Sequence, residues 1–185
     1  MTASGGPSGK EEKLVYKPSF EALIIGVSDR ATPAFRDELS SFGVSIDRLL
    51  PGYPYEKFEK TVLAASKLFT ELEQSEAIAE VGRRLCLATI DANPVGKTLL
   101  PLLKLMGTTR ALKRAYSRST AENYNVVTFG AESPKSLVMH MSDVGSIPDM
   151  ARGSILGMGE AIGVKLRAKI TAFVAPMVSY LIEWD

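Results

Sequence analysis

An α+β fold is predicted, with a helical N-terminal half packed on a mainly antiparallel sheet from the C-terminal half. Three observations carry it. From Thr32 to Tyr116 the apolar residues recur at helical spacing. From Asn123 onward period-two alternation dominates, interrupted by one helical stretch. Helices thus cluster first and strands last, an order that fits α+β and not a doubly wound parallel sheet.

Phe20 to Val27 (FEALIIGV) is a short apolar run and reads as a strand. Thr32 is placed to cap a helix that has Pro33 at its first position. Phe35, Leu39 and Phe42 keep helical spacing, and Gly43 ends that helix. Leu50-Pro-Gly-Tyr-Pro54 reads as a turn. Tyr55, Phe58, Val62, Ala65 and Phe69 then give the cleanest amphipathic helix, with Glu56, Glu59, Lys60 and Lys67 on its other face. Ser75 is a candidate cap for a helix with Ile78, Val81, Leu85 and Ala88 inward. Asn93-Pro94 opens a segment that Gly107 stops, with Leu99, Leu102, Leu103 and Met106 as its apolar stripe. Pro101 inside it implies a kink or a late helix start. Thr108 or Thr109 caps a short helix to about Tyr116.

Asn123 to Phe129 and Lys135 to Ser142 read as strands joined around Gly130 to Pro134. Ser146 and Pro148 open a last helix that ends near Gly163. In Val164 to Val174, Lys165, Arg167 and Lys169 alternate with Leu166, Ala168 and Ile170. After Ala175-Pro176 a final strand aligns Val178, Tyr180, Ile182 and Trp184. No internal repeat of solenoid period is present.

The 185 residues suit one domain, here residues 14–185, behind a Gly/Ser-rich stretch, residues 1–13, that reads as a disordered tail. Hydrophobic residues at 45% and charged residues at 23% are globular proportions. A net charge of +1 gives no global field to attract nucleic acid or acidic lipid, so any such preference must come from a local patch. One cysteine, Cys86, cannot form an internal disulfide and fits a reducing compartment. Residues 1–13 lack the apolar core of a signal peptide. The longest near-apolar stretch, Thr171 to Ile182, is broken by Pro176 and falls short of the roughly 20 residues of a membrane span. A cytoplasmic protein with no membrane span is expected.

Three motifs approach known chemistry and stop short. Asp91-Ala-Asn-Pro-Val-Gly-Lys-Thr98 ends like a phosphate-binding loop, and Leu85 to Ile90 and Leu137 to Asp143 resemble the strands around one. Asp91 replaces the first glycine and would face phosphate with a like charge. Pro94 stiffens the loop and removes a donor. Gly157-Met-Gly-Glu-Ala-Ile-Gly163 resembles a dinucleotide fingerprint but falls at a helix end, not between a strand and a helix start. Gly153 and Gly157, four apart, suit close helix packing better. His140 and Cys86 form a nucleophile–base pair only if the fold joins them. His140 shares a strand face with Ser136 and Ser142, which suggests a partly solvated side. A single histidine and cysteine do not supply a structural zinc site. No catalytic residues and no cofactor are assigned.

One feature exceeds background. Between Asp91 and Glu122 no acidic residue occurs, while Lys97, Lys104, Arg110, Lys113, Arg114 and Arg118 do. Arg110, Lys113, Arg114 and Arg118 share a face if the helix continues that far. Lys165, Arg167 and Lys169 form a second basic stripe. Both either pair with acidic regions such as Glu71, Glu73, Glu76 and Glu80, or receive an acidic protein partner or a small anionic ligand. Asn123 and Tyr124, at a predicted strand start, are further candidate contacts. Nucleic acid is not expected, because no basic run is interleaved with aromatics.

Tyr53-Pro-Tyr-Glu-Lys-Phe58, Val81-Gly-Arg-Arg84, the Gly96–Gly107 stretch, Glu122-Asn-Tyr124, Asp143-Val-Gly-Ser-Ile-Pro148 and Tyr180-Leu-Ile-Glu-Trp184 together resemble a Myxococcales-restricted paralogous family of uncharacterised proteins. The resemblance covers about Phe20 to Trp184 and implies that Gly96–Gly107 is helical. It carries no assigned activity. More distantly, the helical half followed by a sheet-rich half is similar to four-vinyl-reductase-type and haem-nitric-oxide-binding ligand-sensing domains. The haem members of that group use a helical histidine and a Tyr-x-Ser-x-Arg motif. His140 falls on a predicted strand here, and Tyr116-Ser-Arg-Ser-Thr120 has another order.

The expected function is a non-enzymatic regulatory or sensory module for a small molecule or protein. One alternative is an enzyme using scattered residues such as Arg83, Arg84, Asp143 and Arg152. The other is a scaffold or homodimer unit joined through the glycine-faced helix 148–162 or the C-terminal strand.

Overall fold

The computed structural model describes residues 13–123, 126–142 and 144–185, with the backbone alone for 118–123. All of the expected tail except Lys13 lies outside the described residues. β1 (Leu14–Tyr16) pairs antiparallel with β2 (Gly52–Pro54), Val15 opposite Tyr53. The Leu50–Pro54 turn is therefore partly strand.

The run expected as a first strand is helical. α1 (Lys17–Gly26) has Pro18 in its first turn, where a missing N–H costs little. It buries Phe20 and Leu23, with Val27 buried just beyond its end. That spacing is helical, but exposed Ile25 fills the gap in sequence and makes the run look uniformly apolar. α2 (Pro33–Ser41) starts as expected: Thr32 Oγ1 accepts the Phe35 N–H at 3.2 Å. Thr32→Ala should cost about 1 kcal/mol. An unchanged denaturation midpoint would show that the cap is not used.

α3 (Tyr55–Ser66) buries Phe58, Val62 and Ala65. Phe20 packs against Tyr53 and Phe58, with ring centroids 4.6 and 5.4 Å apart. Phe69, just past α3, is buried beneath the guanidinium groups of Arg30 and Arg84. α4 (Gln74–Ala92) begins one residue before Ser75, so Ser75 is not its cap; its N-cap is Glu73. Ile78, Val81 and Ala88 face inward as expected. These elements share the first hydrophobic core.

Asn93 accepts the Val95 and Gly96 N–H groups and opens α5 (Pro94–Leu105). The helix starts early and runs through Pro101. Its expected inward stripe divides: Leu99 and Leu103 are half-buried, whereas Leu102 and Met106 are exposed. α6 (Thr108–Asn123) extends seven residues beyond Tyr116, so Asn123 ends a helix and does not start a strand.

β3 (Val127–Ser133), β4 (Ser136–Ser142), β6 (Met177–Trp184) and β5 (Leu166–Val174) form one antiparallel sheet, ordered β3-β4-β6-β5. Leu137, Met139, Tyr180, Ile182, Leu166 and Ala168 fill its inner face and make the second core with Leu112 and Tyr116 of α6. α7 (Pro148–Ile162) lies against this face and ends at Gly163, whose φ of +81° suits glycine. Tyr180 donates its hydroxyl hydrogen to the Pro148 carbonyl at 2.9 Å. The α+β expectation holds: helical half first, antiparallel sheet second.

The two cores meet where α7 crosses α4. A Cβ on Gly153 would fall 1.8 Å from the Ala79 carbonyl oxygen, and one on Gly82 would fall 2.0 Å from that of Met150. Backbone touches backbone there, so only glycine fits. The glycine face expected to pack closely does so within the chain. It is therefore not a free dimer face, and β6 is flanked by β4 and β5, not at a sheet edge.

Candidate functional site

Of the six candidate contacts, the structure gathers Arg110, Lys113 and Arg114 on α6. Ala111, Leu112 and Tyr116 turn into the core, which leaves Arg110 and Arg114 exposed on the opposite face. Lys113 pairs with Glu132 of β3, and its ammonium lies 5.9 Å from the Phe129 ring centroid. Arg110 and Arg114 have no acidic partner among the described residues. Arg118 and Asn123 lie on the α6 backbone, and their side chains fall outside the described residues, as do Tyr124 and Asp143.

Three of the four acidic residues that were to neutralise this face are engaged elsewhere, and Glu73 pairs with none of its cations among the described residues. Glu71 pairs with Arg30, Glu76 with Arg152, and Glu80 with Arg83 and Arg84. On the second stripe, Arg167 pairs with Asp185 at 2.8 Å, while Lys165 and Lys169 are exposed. Three of the four residues named for an alternative enzyme site, Arg83, Arg84 and Arg152, are held in ion pairs, and the fourth, Asp143, lies outside the described residues. Arg83 joins Glu80 to Glu160, Arg84 joins Glu80 to Asp29, and Arg152 joins Asp149 to Glu76.

His140 and Cys86 do not meet. His140 sits on the outer face of the sheet, half-buried, with Nδ1 2.8 Å from Ser179 Oγ. Cys86 lies in α4 near the α7 crossing, where Gly157 leaves it room. Burial pushes its thiol up to about 12, with the Glu160 carboxylate adding to the effect. Near neutrality the sulfur is therefore mainly a neutral thiol and a poor nucleophile. Burial also pushes the Tyr116 hydroxyl well above its ordinary value.

The motif at Asp91–Thr98 is the α4–α5 junction, and Gly157–Gly163 is the end of α7. Neither forms a loop that wraps an anion. Among the described residues, no three histidine, cysteine or carboxylate side chains gather to hold a metal. No described helix is long and apolar enough to cross a membrane. An open groove of about 510 Å³ lies between α2, α3 and α4. Leu63, Ala64, Phe69 and Ala77 line it, and Lys60 and the Lys67–Glu38 pair stand at its rim. Sequence periodicity gave no sign of this groove, because it opens at the non-helical turn after α3.

This architecture is similar to that of H-NOX domains. It is similar to the H-NOX protein from S. oneidensis in the Fe(II)NO ligation state, at 11% identity and TM-score 0.67, covering 92% of this chain and 99% of that one. It is also similar to the Fe(II) unliganded H-NOX protein from K. algicida, at 11% identity, TM-score 0.65 and coverage of 91% and 95%. An oxygen-binding H-NOX domain related to soluble guanylate cyclases matches at 14% identity, TM-score 0.63 and coverage of 90% and 93%. By sequence, the chain belongs to the family described as protein of unknown function (DUF2378), which matches residues 13–185. No curated protein matches it.

The fold implies haem, and the residues present do not fit it. The chain's one histidine is on β4, not on a helix, and shares its Nδ1 with Ser179. Cys86 lies in α4 packed against Gly157 of α7, within the helix crossing. Tyr116 is buried, and Ser117 donates to the Lys113 carbonyl within α6.

Proposed function

We propose that this protein is a cytoplasmic, non-enzymatic regulatory or sensory module that uses the H-NOX architecture without haem. The observation that carries this reading is the combination of a retained fold and a misplaced histidine. The matched architecture spans more than nine-tenths of the chain, yet His140 is engaged on the outer sheet face. The resemblance to a paralogous myxobacterial family supports a scaffold whose surface is varied from copy to copy. The groove beside Phe69, with its apolar floor and lysine rim, suits a small amphipathic anion. The exposed Arg110 and Arg114 suit an acidic protein partner.

Haem titration and native mass spectrometry of the purified protein test this reading together. The expected spectrum shows free haem only, with no axially ligated Soret band. The expected mass spectrum shows the chain alone or with a small non-haem molecule. A stoichiometric ligated haem band that disappears in His140→Ala overturns the proposal.

A further inference from the structure

We infer that α5, with the start of α6, is a docking surface for an anionic lipid bilayer. None of the α5 residues is buried, although leucine, valine and proline dominate its sequence. Val95 is 58% exposed, Leu102 56%, Leu105 84% and Met106 39%. At about 100° per residue, Val95, Leu102 and Met106 fall within about 40° of one another, and Leu105 lies about 60° to one side. They form one outward apolar strip along the helix. Lys97 and Lys104, seven residues apart, are exposed on the far side of Leu105 from the strip, about 80° and 100° further round the helix, where a long lysine stem can reach towards headgroups. Arg110 and Arg114 follow on α6 without acidic partners among the described residues.

The chemistry of the surface selects its occupant. A second copy would bring these cations against their own kind, since no acidic residue occurs between Asp91 and Glu122. A partner helix needs a groove to lie in. Two open grooves are lined by α1 to α4 and the turns between them, and neither takes in an α5 side chain, whereas Val95, Leu102 and Leu105 stand exposed on the outside of their helix. An exposed apolar strip with unpaired cations beyond it is the form of a helix lying in a membrane interface, drawn there by anionic headgroups. This surface is distinct from the groove at Phe69 and from the sheet face at His140, and its Arg110 and Arg114 are the residues that an acidic protein partner would otherwise take. It stands whether or not the sensory reading does.

Vesicle flotation of the full chain tests the inference, with phosphatidylcholine alone and with phosphatidylcholine mixed with phosphatidylglycerol. The protein should float with the anionic vesicles only, and less so as salt is raised. Leu105→Asp and Lys104→Glu should each reduce partitioning about tenfold. Both sites are exposed, so circular dichroism should be unchanged. No flotation with anionic vesicles overturns the proposal, as does flotation unaffected by Leu105→Asp. Capture of an acidic amphipathic peptide without flotation also overturns it and assigns the surface to a protein partner.

Discussion

Gly153→Ala is expected to destabilise the protein by about 4 kcal/mol or more, an effect far larger than one methyl group suggests. The added carbon would sit 1.8 Å from the Ala79 carbonyl oxygen, 2.6 Å from its carbonyl carbon and 2.8 Å from its Cα. All three are backbone atoms, so no rotamer change relieves the clash. α4 and α7 would have to separate along their length. That would stretch the Arg152–Glu76 and Arg83–Glu160 pairs, at 2.9 and 2.5 Å, which bridge the same two helices. It would also loosen the join between the two cores. For a chain of this size the melting temperature should fall by about 10 °C or more. Gly52→Ala is the control: its added carbon meets nothing closer than 3.7 Å, and its effect should stay within about 0.5 kcal/mol. If Gly153→Ala melted with wild type, the close crossing of α4 and α7 would be wrong.

The glycine spacing that creates this crossing was legible in the sequence, but its target was not. Gly153 and Gly157 are four apart and so share a helix face. Gly82, which completes the contact from α4, lies far away in the chain and carries no local signal. The same division runs through the whole fold. Alternation identified β5 and β6, because one face of each is buried against the helices. The Thr32-Pro33 cap and the Gly163 stop were also legible, because both act through local backbone chemistry. β1 and β2 were not, since each has three residues and exists only through pairing with the other. α1 was misread because a short apolar run has no period that separates helix from strand.

The candidate site divides in the same way. The absence of acidic residues around α5 and α6 was visible in the sequence, and the structure leaves Arg110 and Arg114 unpaired among the described residues. That Leu102 and Met106 face outward was not visible, because an apolar stripe at helical spacing normally means core. Whether such a stripe is covered depends on the neighbouring elements. Here the inner face of the sheet is already occupied by α6 and α7.

Glu80→Gln is the second large expected effect, and it depends on pH. Both Glu80 oxygens accept from Arg83, at 2.7 Å each, and one also accepts from Arg84 Nε at 2.7 Å. Arg84 reaches on to Asp29 and the Gly26 carbonyl, and Arg83 to Glu160. One carboxylate on α4 therefore anchors contacts to α1 and α7. The Arg83 hydrogen bonds are the largest cause holding its carboxyl below the ordinary 4.5; partial burial opposes them, and Arg84 adds to them. A carboxylate whose folded pKa lies below its unfolded value contributes its full stability above the unfolded value. It loses that contribution as pH falls through the folded one. Near neutrality Glu80→Gln should therefore cost about 2 kcal/mol, less than for a fully buried pair because its side chain is 21% exposed. Below the ordinary 4.5 the gap between wild type and variant should narrow, as Glu80 itself becomes protonated. Chemical denaturation of both proteins across that range measures the gap directly. A gap that stayed constant from neutral to acid pH would mean that Glu80 acts through packing and not through its charge.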